Sequence, residues 1–282
     1  MNVEEDKSNA IKKLWHNLFS KLLEELLSPV DIDVFPELPV MSNPPRADVV
    51  LLRRKYSKWT AKQRSVLPDG IRDTQASHIV LEFKYSESFN ENAIRQAVGY
   101  DFFYKHAKQL DDITVQTFVL SARKPQSETL KRLGYETTQQ PGVYRTKNPV
   151  YSPIILLSLN SLPDKQHNAY IKCFASHMRV KKKAFDTLMH SPLKGATHRL
   201  RWFLTGLREF WFTLKGAKMR IELTPEQLTE MGEMWGDSYF SSLTVEERLA
   251  GLNPQERLAG LNPQQLDELE KSLKTLKKRQ AQ

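Results

Sequence analysis

The chain has almost no cysteine. Cys173 is the only one in 282 residues, which excludes an internal disulfide framework and any zinc site built on several thiolates. Glycine is sparse as well: there are 11, none clustered, so there is no glycine-rich loop to cradle phosphates. No stretch approaches the ~18–20 uncharged apolar residues that a membrane-spanning helix needs, and no membrane association is expected. The histidines lack H-E-x-x-H or other clustered spacing. His16, His78, His106 and His167 therefore read as structural. The opening MNVEEDKSNA has neither the basic start nor the apolar centre of a signal peptide, so a cytoplasmic location is expected.

Charge is plentiful and unevenly placed. The formal net charge is +9, from 42 Lys and Arg against 33 Asp and Glu. Residues 1–176 hold 24 basic and 20 acidic side chains, residues 177–220 hold 11 and 2, and residues 221–282 hold 7 and 11. One 44-residue window thus carries an excess equal to the whole net charge. Such a stripe is the electrostatic footprint of a polyanion partner, with nucleic acid first. Within it, Lys181, Lys182, Lys183, Arg199 and Arg201 are the candidate phosphate contacts. A second basic stretch, Arg53, Arg54 and Lys55, opens a polar, turn-rich segment that runs to Ser77.

Apolar periodicity gives the elements. Asn9 to Leu27 has helical spacing with one buried face, through Leu14, Trp15, Leu18, Leu22 and Leu26. Asp31–Phe35 reads as an edge strand, because the prolines around it cannot donate to a ladder. Ala47–Leu52 and His78–Lys84 are the strongest strands. Glu91–Lys108 is a helix, Ile113–Leu120 a third strong strand, and Ser127–Gly134 a short helix closed by glycine. Val143–Arg145 and Pro153–Leu159 are further strands, and Asp164–Ala175 a helix. The order predicts an α/β layer fold, a mixed sheet flanked by helices.

Three segments follow from this pattern: residues 1–175 as the α/β domain, 176–222 as a basic aromatic helical region, and 223–282 as a helical tail. In the middle segment Trp202, Phe203, Phe210, Trp211 and Phe212 have core spacing, which leaves the neighbouring Arg and Lys to meet phosphate. The tail holds a nine-residue repeat, Arg248–Glu256 and Arg257–Gln265. Each copy carries an Asn-Pro pair that suits a helix start. The tail reads as a solvated appendage or a homo-oligomer contact.

The two best strands each set a carboxylate in an apolar run, Asp48 in Ala-Asp-Val-Val-Leu-Leu and Glu82 in Ile-Val-Leu-Glu-Phe-Lys. A charge there is costly unless it is paired, coordinated or wet. Side chains two apart on a strand share a face, so Glu82 and Lys84 point the same way. If the strands of Asp48 and Glu82 are neighbours, three charged groups converge. Two carboxylates and the Phe83 carbonyl are hard oxygen donors of the kind that suit Mg²⁺ or Mn²⁺. A lysine beside such an ion would orient a water and offset phosphate charge.

Asp48 followed by Glu82-Phe83-Lys84 resembles the PD-(D/E)XK nuclease superfamily, and Gln96-Ala-Val-Gly-Tyr100 is similar to the Q-x-x-x-Y helix of its RecB-like branch. The resemblance covers roughly residues 9–160. It implies a restriction-endonuclease-like αβββαβ core in which Asp48 and Glu82 bind the metal, Lys84 acts on the nucleophile, and Gln96 and Tyr100 line the site. Pro45 and Asp48 are separated by two residues, a departure from the direct Pro-Asp pair. A first-helix acid often assists in this superfamily, and Glu24 or Glu25 is the candidate. The basic window and tail resemble accessory regions of bacterial transposase-associated nucleases. The expected activity is metal-dependent hydrolysis of DNA in recombination, repair or mobile-element biology. The alternative is a non-catalytic nucleic-acid-binding or scaffold protein on the same fold.

Overall fold

A computed structural model describes residues 3–36, 38–39, 46–47, 49–55, 58–190, 197–213, 223–242, 264, 266–271 and 274. Asp48 and nearly all of the nine-residue repeat lie outside them. The chain divides into two units, Met1–Met234 and Trp235–Gln282. In the second, residues 266–271 are helical and exposed.

The first unit is an open seven-stranded mixed sheet with helices packed on it. Its strands are β1 (Ile32–Phe35), β4 (Val49–Arg54), β5 (His78–Lys84), β6 (Val115–Ser121), β7 (Tyr135–Thr137), β8 (Val143–Thr146) and β9 (Ile154–Ser158), in the order β1-β4-β5-β6-β9-β8-β7. A separate two-stranded pair joins β2 (Leu38–Pro39) to β3 (Arg46–Ala47). Strands β5, β6 and β9 are mutually parallel, and the pairs on either side of them are antiparallel. The carboxyl ends of the three parallel strands therefore share one edge, with Lys84, Ser121 and Ser158 in register.

The helices are α1 (Val3–Leu27), α2 (Ala61–Val66), α3 (Glu91–Lys108), α4 (Ser127–Arg132), α5 (Gln166–Lys172), α6 (Met178–His190), α7 (His198–Phe212) and α8 (Pro225–Ser242). Helix α2 lies within the segment expected to be polar and turn-rich. A capping box sets its start: the Thr60 hydroxyl accepts from Gln63 N, and the Gln63 carboxamide accepts from Thr60 N. The buried Gln63 amide also donates to the Val30 carbonyl at 3.0 Å, which ties α2 to the 3₁₀ turn Ser28–Val30 that follows α1. Strand β7 is too short, at three residues, to show a sequence period.

The central strands are apolar on both faces. Ile79 and Leu81 join the core beneath α1, with Leu18, Phe19 and Leu22. Val80 joins a smaller cluster with Tyr104 of α3. Helices α6 and α7 add Ala184, Phe185, Leu200, Phe203, Phe210 and Trp211 to the α1 side. The aromatics of the basic window are thus largely core, Phe203, Phe210 and Trp211 fully and Trp202 and Phe212 in part. Helices α7 and α8 meet through Gly206 and Gly232, where a β-carbon would run into the Leu228 or Trp202 carbonyl.

Candidate functional site

Strands β4 and β5 are antiparallel neighbours, and Val49 is the register partner of Glu82. This brings the strand that follows Asp48 in sequence against the strand of Glu82. Alternation along β5 sends Ile79, Leu81 and Phe83 toward α1. The other set faces α3, as the 2.7 Å hydrogen bond between His78 Nδ1 and the Tyr104 hydroxyl shows. Glu82 and Lys84 belong to that second set.

There they meet α3 in a continuous chain of contacts. Lys84 Nζ lies 2.6 Å from Glu82 Oε1 and donates to Gln96 Oε1 at 2.8 Å. The Gln96 amide donates to the Tyr100 hydroxyl one turn further along. Glu82 is 2 % exposed and Lys84 9 %. Burial at this level strengthens the ion pair. Glu87 stands 3.7 Å from Lys84 at the outer side, so the ammonium sits between two carboxylates.

A cavity of about 140 Å³ opens onto this cluster. Trp15, His16, Tyr85, Ser86, Glu87 and Gln96 wall it, with Glu82, Phe83 and Lys84 on its strand side. It is roomy enough for several waters or a phosphate group. Burial pushes the Tyr85 phenol up, with Arg123 working the other way, so Tyr85 stays neutral in the physiological range. His16 bonds through Nε2 to the Pro36 carbonyl at 2.7 Å.

Behind the Tyr85 wall lies Lys181. The helical period of α6 sets it on the inner face with Ala184, Phe185 and Leu188, while Lys182 and Lys183 face out. Its ammonium is 2.8 Å from the Trp211 ring centroid and 3.4 Å from the Tyr85 hydroxyl. Trp15 stacks on both Tyr85 and Trp211, at 4.4 and 4.6 Å. Burial pushes the Lys181 pKa down to about 7. The expectation of a phosphate contact at Lys181 is therefore corrected: the side chain is 2 % exposed and its partners are aromatic rings.

The other sequence-derived cations are scattered. Arg53 pairs in register with His78 at the start of β5, about 14 Å along the strand from Glu82 at ~3.4 Å per residue. Arg53 and Lys55 both pair with Asp33, and Arg54 lies over Trp59. The Arg53–Lys55 stretch thus belongs to the opposite end of the sheet, not to the rim of the cavity. Lys182 is exposed, Lys183 pairs with Asp164 at 2.7 Å, Arg199 pairs with Glu25 at 2.9 Å, and Arg201 is exposed. Glu24 and Glu25 pair with Lys21, and neither lines the cavity. From α1 it is Trp15 and His16 that do. Their helical period marks them as buried, but only packing shows what they face.

No protein-family model, curated protein or solved structure matches the chain. The reading of the site therefore rests on its own geometry. Among the described residues no three His, Cys, Asp or Glu side chains gather closely enough to hold a metal ion. Of the oxygen donors expected to hold a metal, the Glu82 carboxylate and the Phe83 carbonyl lie among the described residues, on β5, and are hard donors of the kind a magnesium ion takes.

Proposed function

We propose that the protein is a metal-dependent phosphodiesterase acting on DNA, built on a restriction-endonuclease-like core. The observation that carries this reading is the contact chain from buried Glu82 and Lys84 to exposed Gln96 and half-buried Tyr100 at the mouth of a cavity. A carboxylate and an ammonium are held together there at the end of a strand, beside a space the size of a phosphate group. With the short β2–β3 pair and α2 set aside as insertions, the order α1, β1, β4, β5, α3, β6 is compatible with the αβββαβ core that the sequence resemblance implies.

In this reading Asp48, Glu82 and the Phe83 carbonyl would hold Mg²⁺ or Mn²⁺. When bound, the ion supplies charge stabilisation and a more acidic water. Lys84 offsets the charge that develops on the phosphate oxygens and orients the attacking water. Gln96 fixes the Lys84 ammonium by accepting a hydrogen bond from it, and Tyr100 fixes Gln96. Trp15 and Tyr85 keep the inner wall of the cavity apolar, which sharpens these electrostatic effects.

The test is cleavage of plasmid and single-stranded DNA, with and without Mg²⁺, by the wild type, Glu82→Ala and Lys84→Ala. Mg²⁺-dependent cleavage by the wild type, reduced at least 100-fold in both variants, is expected (about 2.7 kcal/mol of transition-state stabilisation). Equal cleavage by all three proteins would remove Glu82 and Lys84 from the chemistry. DNA binding without cleavage in any of them would leave a binding module.

A further inference from the structure

The carboxyl edge of the parallel strands carries exposed cations, two of which, Arg123 and Lys124, lie outside the basic window of residues 177–220. Arg123 and Lys124 follow β6 directly and are exposed. Arg123 is close enough to the cavity wall to act electrostatically on Tyr85. The start of α6 is tied to the same edge. Ser176 N donates to the Ala122 carbonyl at 2.9 Å, Asn160 Nδ2 donates to that carbonyl at 2.8 Å, and His177 N donates to Asn160 Oδ1 at 3.1 Å. These bonds fix the residues just before α6 against Ala122, which precedes exposed Arg123 and Lys124, and exposed Arg179 and Lys182 follow in the first turns of α6. The buried Lys181 and Phe185 turn the inner face of α6 to the core, so that Arg179 and Lys182 share the outer one.

The acidic groups along this edge are few. Glu87 lines the cavity and lies 3.7 Å from Lys84. Asp164 is taken up by Lys172 and Lys183. Asp186 comes one turn after Lys182 on α6 and is half-buried. Neighbouring strands are ~4.8 Å apart, so the ends of β5, β6 and β9 span about 10 Å. A run of positive side chains on that scale, beginning at the cavity, matches consecutive phosphates of a nucleic-acid strand.

We infer that Arg123, Lys124, Arg179 and Lys182 form the track along which a DNA phosphodiester backbone leaves the cavity. The inference rests on the proposed DNA-directed reading for the identity of the polyanion. It gives no such role to Arg53 and Lys55, which sit at the far end of the sheet paired with Asp33.

Counterion release makes the track measurable. Each neutralised phosphate adds about −0.9 to the slope of log K against log salt on duplex DNA. Four contacts give about −3.6, or roughly 150-fold weaker binding at 200 mM than at 50 mM salt. The experiment measures binding of a 20-base-pair DNA duplex to the full chain in EDTA at pH 8, where nothing is cleaved. Arg123→Ala/Lys124→Ala, and independently Arg179→Ala/Lys182→Ala, should each lower the slope by about 1.8. Each pair would then leave roughly 12-fold salt sensitivity from the track. Arg53→Ala/Lys55→Ala should leave the slope unchanged. Circular dichroism of each variant checks that it is folded, and the two rim pairs serve as each other's control.

The track is overturned if both rim pairs keep the wild-type slope, if the Arg53/Lys55 pair lowers it as much, or if the wild type does not bind the duplex. The outcomes separate from those for hydrolysis. Salt-dependent binding through the rim with no Mg²⁺-dependent cleavage keeps the track and removes the hydrolase reading. Cleavage with an unchanged slope in the rim variants does the reverse.

Discussion

Lys181 and Lys182 are adjacent in the chain and opposite in environment. One is enclosed by Trp211 and Tyr85, and the other is in water. Enclosure has a consequence for stability with a definite sign. The Lys181 pKa is about 7 in the folded protein and 10.5 as the reference value. Between those pH values the unfolded chain binds more protons than the folded one, so stability rises with pH from about 7 to about 10.5. Each pKa unit of difference corresponds to about 1.4 kcal/mol. Lys181→Met keeps the length of the side chain without the charge. It should raise the unfolding midpoint at pH 6 and flatten the alkaline rise, as read by thermal melts across pH. Asp69 gives a slope of the same sign in the acid range. Burial opposes its ionisation, yet hydrogen bonds from Asn168 and His167, at 2.9 and 2.8 Å, hold its carboxyl below the ordinary value. Its contribution is present above about pH 4 and lost as pH falls through the lowered folded-state value. Asp69→Ala should destabilise by about 3 kcal/mol in denaturant titration at pH 7. At the candidate site, Gln96 touches Lys84 and not the cavity alone. Under the proposed hydrolase reading, Gln96→Ala should reduce Mg²⁺-dependent cleavage about 10- to 100-fold, with DNA binding in EDTA unchanged.

Glycines in helices mark where packing overrides propensity. Gly99 lies in the middle of α3, and a β-carbon there would meet nothing within 4 Å. Gly99→Ala should therefore stabilise the protein by about 0.5–1 kcal/mol, the ordinary helix preference for alanine. Gly206 and Gly232 carry the same local preference, yet each would clash with backbone on the facing helix. Alanine at either position should destabilise by about 1–3 kcal/mol and undock α8, with Leu228 losing its buried place. Paired melts of the three variants test the contrast. No helical period distinguishes these glycines from one another. Elements with a long, clean pattern were legible in the sequence: His78–Lys84 and Glu91–Lys108 have the expected bounds. Helix α2 and strand β7 were not. Helix α2 is six residues held by the Thr60/Gln63 capping box, and β7 has three residues. In such short pieces tertiary pairing supplies what periodicity cannot.

At the scale of the molecule, the positive charge and the core occupy the same helices. Residues 177–220 carry 11 basic side chains against 2 acidic ones, and α6 and α7 within that window also supply Phe185, Phe203, Phe210 and Trp211 to the core. Every buried apolar residue among those described precedes Trp235.

The sequence by itself determined the α/β class, the two charged β5 residues on one face, and the Gln96–Tyr100 spacing one helical turn apart. These follow from the periods of strand and helix, which are local. Only the tertiary structure decided that Lys84 bridges Glu82 and Gln96, that Arg53 and Lys55 lie at the far end of the sheet, and that Trp15 and His16 wall the cavity. It also decided that Lys181 is buried while Lys182 is exposed. Those outcomes depend on strand direction and on which helix covers which face. A count of charges along the chain carries neither.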